Sequence, residues 1–332
     1  MLPHTDGDVY TDLSLLSSSA FMLPVIHRFP SGNLNAIVKV YDFSGALERD
    51  EDGIPVPRLL RTFFLPPLNP QLSTVEFTCC SSLTNRRVWM QSPEQQNTLT
   101  CMINERDGKV PSMASPKPFR PHDSDRLCAL ILDTFFDVAQ WDIPYSYVFL
   151  TRASTLLAHY DTDWVPWRLW GEENASCLYG MGTDIRWGNF WYPHGFRIVF
   201  ALRGNSHIGP PSWRVDLLDF NQDRVRRYLL PAPWPACSTV DDAEQNPQTP
   251  NYISTVDLMS GPRAVGGVDE PGVWGFQDRI INARLPYLRT KLLEPTWTCD
   301  WVEMDMDTER ILLAKVRDKQ PIVFCQIRYS AC

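Results

Sequence analysis

The chain has 332 residues, of which 44% are hydrophobic and 21% charged, so disorder, collagen and coiled coil are excluded as descriptions of the whole. A formal net charge of −8 argues against nucleic acid or an anionic membrane as a partner. Twenty-eight Pro, 17 Gly and 12 Trp are a load of helix breakers and large rings that favours strands and loops.

From the N-terminus, Met1-Leu2-Pro3-His4-Thr5-Asp6 has no basic start. The first long uncharged run, Leu13 to His27, is broken by Ser17-Ser18-Ser19 and Pro24, so neither a signal peptide nor a membrane span is expected. Short segments rich in β-branched and aromatic residues then recur at Ala36–Tyr41, Thr74–Thr78, Val88–Met90, Tyr145–Leu150, Phe196–Leu202, Trp213–Leu218, Ile311–Val316 and Ile322–Tyr329, which is the strand signal. Only two segments have helical character: Leu127–Val138, made ambiguous by Asp133-Thr134 and by the Pro144 that follows, and Ser154–Tyr160, at most two turns. Stretches rich in Pro, Asp, Ser or Asn near 46–57, 104–126 and 238–251 lack apolar periodicity and read as loop insertions within one domain covering 1–332.

A weak repeat points to the architecture. Val38-Lys39-Val40-Tyr41-Asp42-Phe43, followed by Arg58 to Pro67, parallels Val215-Asp216-Leu217-Leu218-Asp219-Phe220, followed by Arg226 to Pro233. Each reads strand, Asp-Phe, polar turn, basic residue, apolar strand ending in Leu-Pro. A looser copy closes the sequence, with an acidic turn at Glu303–Asp307 and a hairpin of Arg310–Val316 and Ile322–Tyr329 across Asp318-Lys319-Gln320. The fold expected is therefore all-β, an irregular β-propeller-like array of small antiparallel sheets, with a β-sandwich pair as the alternative. At roughly 40 to 50 residues per blade, six or seven blades are expected.

The segment Val165-Pro166-Trp167-Arg168-Leu169-Trp170-Gly171-Glu172-Glu173-Asn174, then Arg186-Trp187 and Tyr192-Pro193-His194-Gly195-Phe196-Arg197-Ile198-Val199, resembles a pattern in mushroom-type fungal proteins that pair an N-terminal F-box with a β-propeller-like region. The tail Asp305-Met306-Asp307-Thr308-Glu309-Arg310-Ile311-Leu312 is similar too. What the resemblance implies is a non-catalytic receptor surface for a protein partner. The family's F-box opens with apolar-Pro-x-Glu-Ile, whereas the nearest match here, Leu23-Pro24-Val25-Ile26, lacks the acid and helical periodicity, so ligase recruitment does not carry over. Trp167 and Trp170 read as core packing, with Gly171 letting the chain reverse beside them.

No constellation specifies a reaction. Ser206 and His207 are adjacent and would point to opposite faces of a strand. His159-Tyr160-Asp161-Thr162-Asp163 alternates metal-capable side chains without a second supplying segment, Asp305, Asp307 and Glu309 lack the Gly of a calcium loop, and Gly266-Gly267 is followed by acids rather than Lys. His122-Asp123-Ser124-Asp125 reads as the exit of a Pro-rich loop, and Asn174-Ala175-Ser176 as a chance sequon. Neither cofactor nor metal is expected. Nine Cys without CxxC spacing, most in apolar company, predict free thiols in a reducing compartment, cytoplasmic or nuclear. Within Trp187 to His194 five rings are interleaved with Gly188 and Asn189, which makes Trp187, Trp191, Tyr192 and His194 the candidate contact patch for an unknown protein. A propeller-type hydrolase and a sugar-binding propeller are the alternatives in function.

Overall fold

The structure is a computed structural model that describes residues 8–10, 12–29, 33–45, 48–49, 53, 55–81, 126–136, 145–181, 193, 195–204, 212–230, 253–260, 263–264, 275–277, 281–292, 297–298, 301–306, 310–317 and 320–328. Its elements begin with β1 (Asp8–Tyr10), β2 (Ser14–Leu15), β3 (Ala20–Arg28) and β4 (Leu34–Asp42), then the short pair β5 (Glu48–Arg49) and β6 (Pro55–Val56). They continue through β7 (Arg58–Phe64), β8 (Leu72–Ser81), β9 (Leu127–Phe136), β10 (Tyr145–Arg152), α1 (Ala153–Leu157), β11 (Trp164–Val165), α2 (Trp167–Asn174) and β12 (Ala175–Met181). The remainder is β13 (Arg197–Gly204), β14 (Ser212–Asp219), α3 (Gln222–Leu229), β15 (Ile253–Met259), β16 (Arg263–Ala264), β17 (Tyr287–Leu292), β18 (Trp297–Thr298), β19 (Trp301–Met306), β20 (Arg310–Arg317) and β21 (Gln320–Arg328).

The chain is all-β in class, built as several small, mainly antiparallel sheets that do not close into a barrel. The first sheet runs β1-β3-β4-β7-β11, with β2 also on β3; the second runs β16-β12-β10-β9-β8. A third runs β13-β14-β17-β15, with β18 on β14, and the fourth is β19-β20-β21. Only β7–β11 and β12–β16 pair parallel. Among the described residues there are thus four sheets of three or more strands. The first sheet is not built from consecutive strands alone, since β11 joins it from a hundred residues downstream of β7.

The second sheet is apolar on both faces. Cys128, Leu130, Leu132, Tyr147, Phe149 and Cys177 face one core, shared with β3, β4 and β7, while Leu127, Ala129, Val148, Leu150 and Leu178 face another, shared with Ile198, Leu218, Phe220, Met259 and Tyr287. This corrects the helical reading of Leu127–Val138: residues 127–136 are β9, in register with β10 from Leu127↔Arg152 to Thr134↔Tyr145. A strand covered on both sides has no polar alternation, and its continuous apolar run imitates a buried helix.

Pro24 lies in the middle of β3, where it cannot donate to a ladder. Its neighbours explain the tolerance: β1 pairs with Val25 to His27 and β2 with Phe21 and Met22, so Pro24 falls in the gap between the two. The stretch Leu23-Pro24-Val25-Ile26 is accordingly strand.

The Asp-Phe repeat is real at the strand end and fails beyond it. Asp42 accepts from the Ser44 amide at 2.9 Å and Asp219 from the Asn221 amide at 3.0 Å, so each carboxylate closes the same turn two residues on. After Asp219 the polar residue is Asn221, whose side chain accepts from the amides of Asp223 and Arg224 and caps α3. Residues 226–229, read from sequence as an apolar strand, are therefore helix. Two smaller corrections follow: Glu303 to Met306 lie in β19 rather than in a turn, and the 46–57 stretch holds the β5–β6 pair. The terminal hairpin is present as β20–β21. Val88–Met90, 104–125 and 238–251 lie outside the described residues.

Trp167 and Trp170 are buried, as expected of core rings, but on helix α2, where a spacing of three puts both on one face. They meet edge-on at 5.0 Å, and Trp170 and Trp167 extend the cluster edge-on to Phe63 (5.5 Å) and Phe149 (5.3 Å). Each indole N–H donates to a carbonyl, Trp167 to Asn282 at 3.0 Å and Trp170 to Phe64 at 2.9 Å. Gly171 is required for packing rather than chain reversal: a Cβ there would lie 2.2 Å from the Trp167 ring. Gly171→Ala should destabilise the protein by about 1–3 kcal/mol in a denaturant melt, because a ring locked on both edges has nowhere to move.

Cys79, Cys80, Cys128 and Cys177 are free and buried. Burial pushes the Cys128 thiol up to about 12 and those of Cys79 and Cys177 well above the ordinary value. The expected outcome is that native protein at pH 8 leaves these four thiols unlabelled by iodoacetamide, and that peptide mapping finds all four labelled after unfolding without reductant.

Candidate functional site

The sequence-derived patch of Trp187, Trp191, Tyr192 and His194 lies outside the described residues, as do Ser206, His207, Gly266, Gly267 and His122 to Asp125. Among the described residues, chemistry-bearing side chains form three clusters apart from the aromatic surface, and two of these are ion pairs closed on themselves.

The β1–β3 register sets Asp8 opposite His27. The buried Asp8 carboxylate is 2.6 Å from His27 Nδ1 and 2.6 Å from Lys39 Nζ. In the third sheet, buried Asp216 is gripped by Arg289, and Asp219 lies 3.0 Å from Arg197 Nε and 2.6 Å from an Arg224 terminal nitrogen. Buried carboxylates with matched cations hold strands in register, and removing one partner strands the other charge.

The third cluster is a cross-strand row in which Glu76 opposes Asp133 and Asp133 opposes Ser146, whose hydroxyl donates to the Asp133 carboxylate. Burial raises the Asp133 carboxyl above its ordinary range, the Ser146 bond opposes that, and the Glu76 charge adds to it. A raised acid beside a second acid suits proton transfer, yet the next position along the row is Gly180, which brings neither base nor nucleophile. Its consequence is for stability. In the window above the ordinary carboxylate value, folded Asp133 holds a proton that the unfolded chain has released, so stability is lost as pH rises through that window. Asp133→Asn should therefore melt above wild type at pH 7 and no higher than wild type at pH 3.

One exposed hydrophobic side chain stands out among the described residues. Trp164, on the edge strand β11, is 64% exposed, the most exposed large hydrophobic side chain among the described residues. Its ring stacks on Phe64 at 5.5 Å with the planes 27° apart. The loop 158–163 that delivers it is braced from below. Arg61 of β7 donates to His159 Nδ1 at 3.3 Å and the Tyr160 carbonyl at 3.2 Å, and sits 3.5 Å from Asp163. Tyr160 packs edge-on against Phe63 at 5.6 Å and its hydroxyl donates to the Thr155 carbonyl. Thr62 N–H donates to the Asp163 carbonyl at 2.8 Å, and Thr162 Oγ1 both accepts from the Trp164 amide and donates to its carbonyl. That hydroxyl occupies backbone groups a bare edge would offer to another strand.

The alternation of His159, Asp161 and Asp163 thus belongs to a loop clamped by a guanidinium. A cation already stands where a metal would need its ligands. Asp161 and Asp163 are exposed in the turn just before Trp164, so the segment leading to the ring is acidic, with Asp163 answered by Arg61. Sequence reasoning reached this segment through its acids and missed its ring. The available signal was Trp164 standing between a polar turn and the buried Val165, a position a two-residue strand cannot bury on both sides.

No family model matches the chain, and neither a curated protein nor a solved structure matches it.

Proposed function

We propose that this chain is a non-catalytic protein-interaction module of receptor type, acting in a reducing compartment, the cytoplasm or the nucleus, with the Trp164 surface as its contact centre. The observation that carries this reading is the braced, exposed indole. A large ring held in place by Phe64, Arg61 and Thr162 loses little further freedom on binding, and Trp is the residue most enriched at interface hot spots. Free buried thiols at four positions support the compartment, and no helix among the described residues is long and apolar enough to cross a membrane. The fungal F-box-associated proteins that the sequence resembles would place such a surface in substrate or partner capture.

The test is affinity capture by the full chain with Trp164→Ala alongside, each variant also melted. An exposed ring truncated to Ala should shift stability within about 0.5 kcal/mol while partner affinity falls by about 2 kcal/mol or more. Capture unchanged by the substitution removes the Trp164 surface from the interaction.

A further inference from the structure

We propose that the Trp164 surface docks onto the C-terminal end of α3 of a second copy of this chain, head to tail. This rests on the reading of Trp164 as a contact centre and names its occupant. Arg226, Arg227, Tyr228, Leu229 and Leu230 are five consecutive exposed residues, with Leu229 62% and Leu230 60% exposed. The last three of these are apolar, and an exposed apolar run at a helix end is the kind of surface that marks an interaction site. The Tyr228 hydroxyl donates to the Val256 carbonyl at 3.0 Å, which ties the helix end to β15, where Val256 is itself exposed. The result is a fixed apolar surface with cations on its margin: Arg226 is 78% exposed, with Asp223 3.6 Å away.

The two surfaces are opposite in sign and alike in apolar character. One presents Trp164, stacked on Phe64, after the exposed acids Asp161 and Asp163, with Arg61 answering only Asp163; the other presents Tyr228, Leu229 and Leu230 after Arg226 and Arg227, with Asp223 answering only Arg226. A guanidinium also stacks favourably on an indole face. Because the surfaces are different parts of one chain, the contact is heterologous and a docked pair leaves one surface of each kind open.

Sedimentation velocity of the full chain from about 1 to 100 µM, the range where a small charge-assisted contact is populated, reads the outcome. Wild type should grow in weight-average mass with concentration and shrink when salt is raised. Trp164→Glu and Leu229→Glu should each remain monomeric, while their equimolar mixture should form a 1:1 dimer and nothing larger, since each variant keeps one intact surface. Asp161→Arg should weaken association and Arg226→Asp added to the same chain should restore it, a charge swap at exposed positions that leaves folding aside. A wild type that stays monomeric throughout, or a Trp164→Glu and Leu229→Glu mixture that stays monomeric, overturns the second copy as occupant. If Trp164→Ala nevertheless abolishes capture of a different protein, the interaction reading stands and only this occupant falls.

Discussion

The second sheet, buried on both faces, is the constraint on which the rest depends. With Leu127, Ala129, Val148 and Leu150 committed to one core and Cys128, Leu130, Tyr147 and Phe149 to the other, neither face can meet water, so sheets must be supplied on both sides. The first sheet and the α2 tryptophans cover one face and the third sheet covers the other. Burial on this scale, at about 25 cal/mol per Å2 of apolar surface removed from water, dominates what opposes chain entropy. Tyr147 shows how close the fit is. Its hydroxyl accepts from the Gly275 amide at 2.8 Å, its ring meets Phe276 edge-on at 4.9 Å, and a Cβ at position 275 would fall 2.7 Å from the ring.

Class and several strands were legible because runs of strand length rich in β-branched and aromatic residues fit a pleated, half-buried surface, as in β4, β10 and β14. What was not legible depended on what covers each face. The run from Leu127 looked helical because its strand is covered twice, a fact about the neighbouring sheets and not about the run. The 226–229 stretch looked like a strand by analogy with β7, and the deciding residue was Asn221, a cap five positions upstream. Trp167 and Trp170 were legible as core but not as helix, since a spacing of three fits either a turn or α2 until Gly171 is seen against the Trp167 ring.

The candidate site was less legible than the fold, for a related reason. Sequence singles out residues by chemical type, and carboxylates drew the eye to His159–Asp163. The structure sorts acids by burial instead. Asp8, Asp216 and Asp219 are buried against cations and serve to align strands, while Asp161 and Asp163 stay at the surface in the turn before Trp164, where Asp163 meets Arg61.

That sorting also bears on why the Trp164 loop is rigid. An exposed Trp on a loose loop would lose its freedom on binding and collapse onto other apolar surface when unbound. Here Arg61 is committed to the loop from β7, Tyr160 is committed to Phe63, and Thr162 closes the turn, so the loop is held by the first sheet, whose inner face is held in turn by the second. Phe63 and Phe64 divide the work by strand alternation: Phe63 points to Trp170 in one core, and Phe64 joins the opposite face, where it packs against the Phe21, Leu23, Val25, Ile37 and Tyr41 cluster and stacks on Trp164. One β7 dipeptide thus joins the buried core to the exposed ring, and a shift of β7 by a single residue would exchange the two faces and dismantle both.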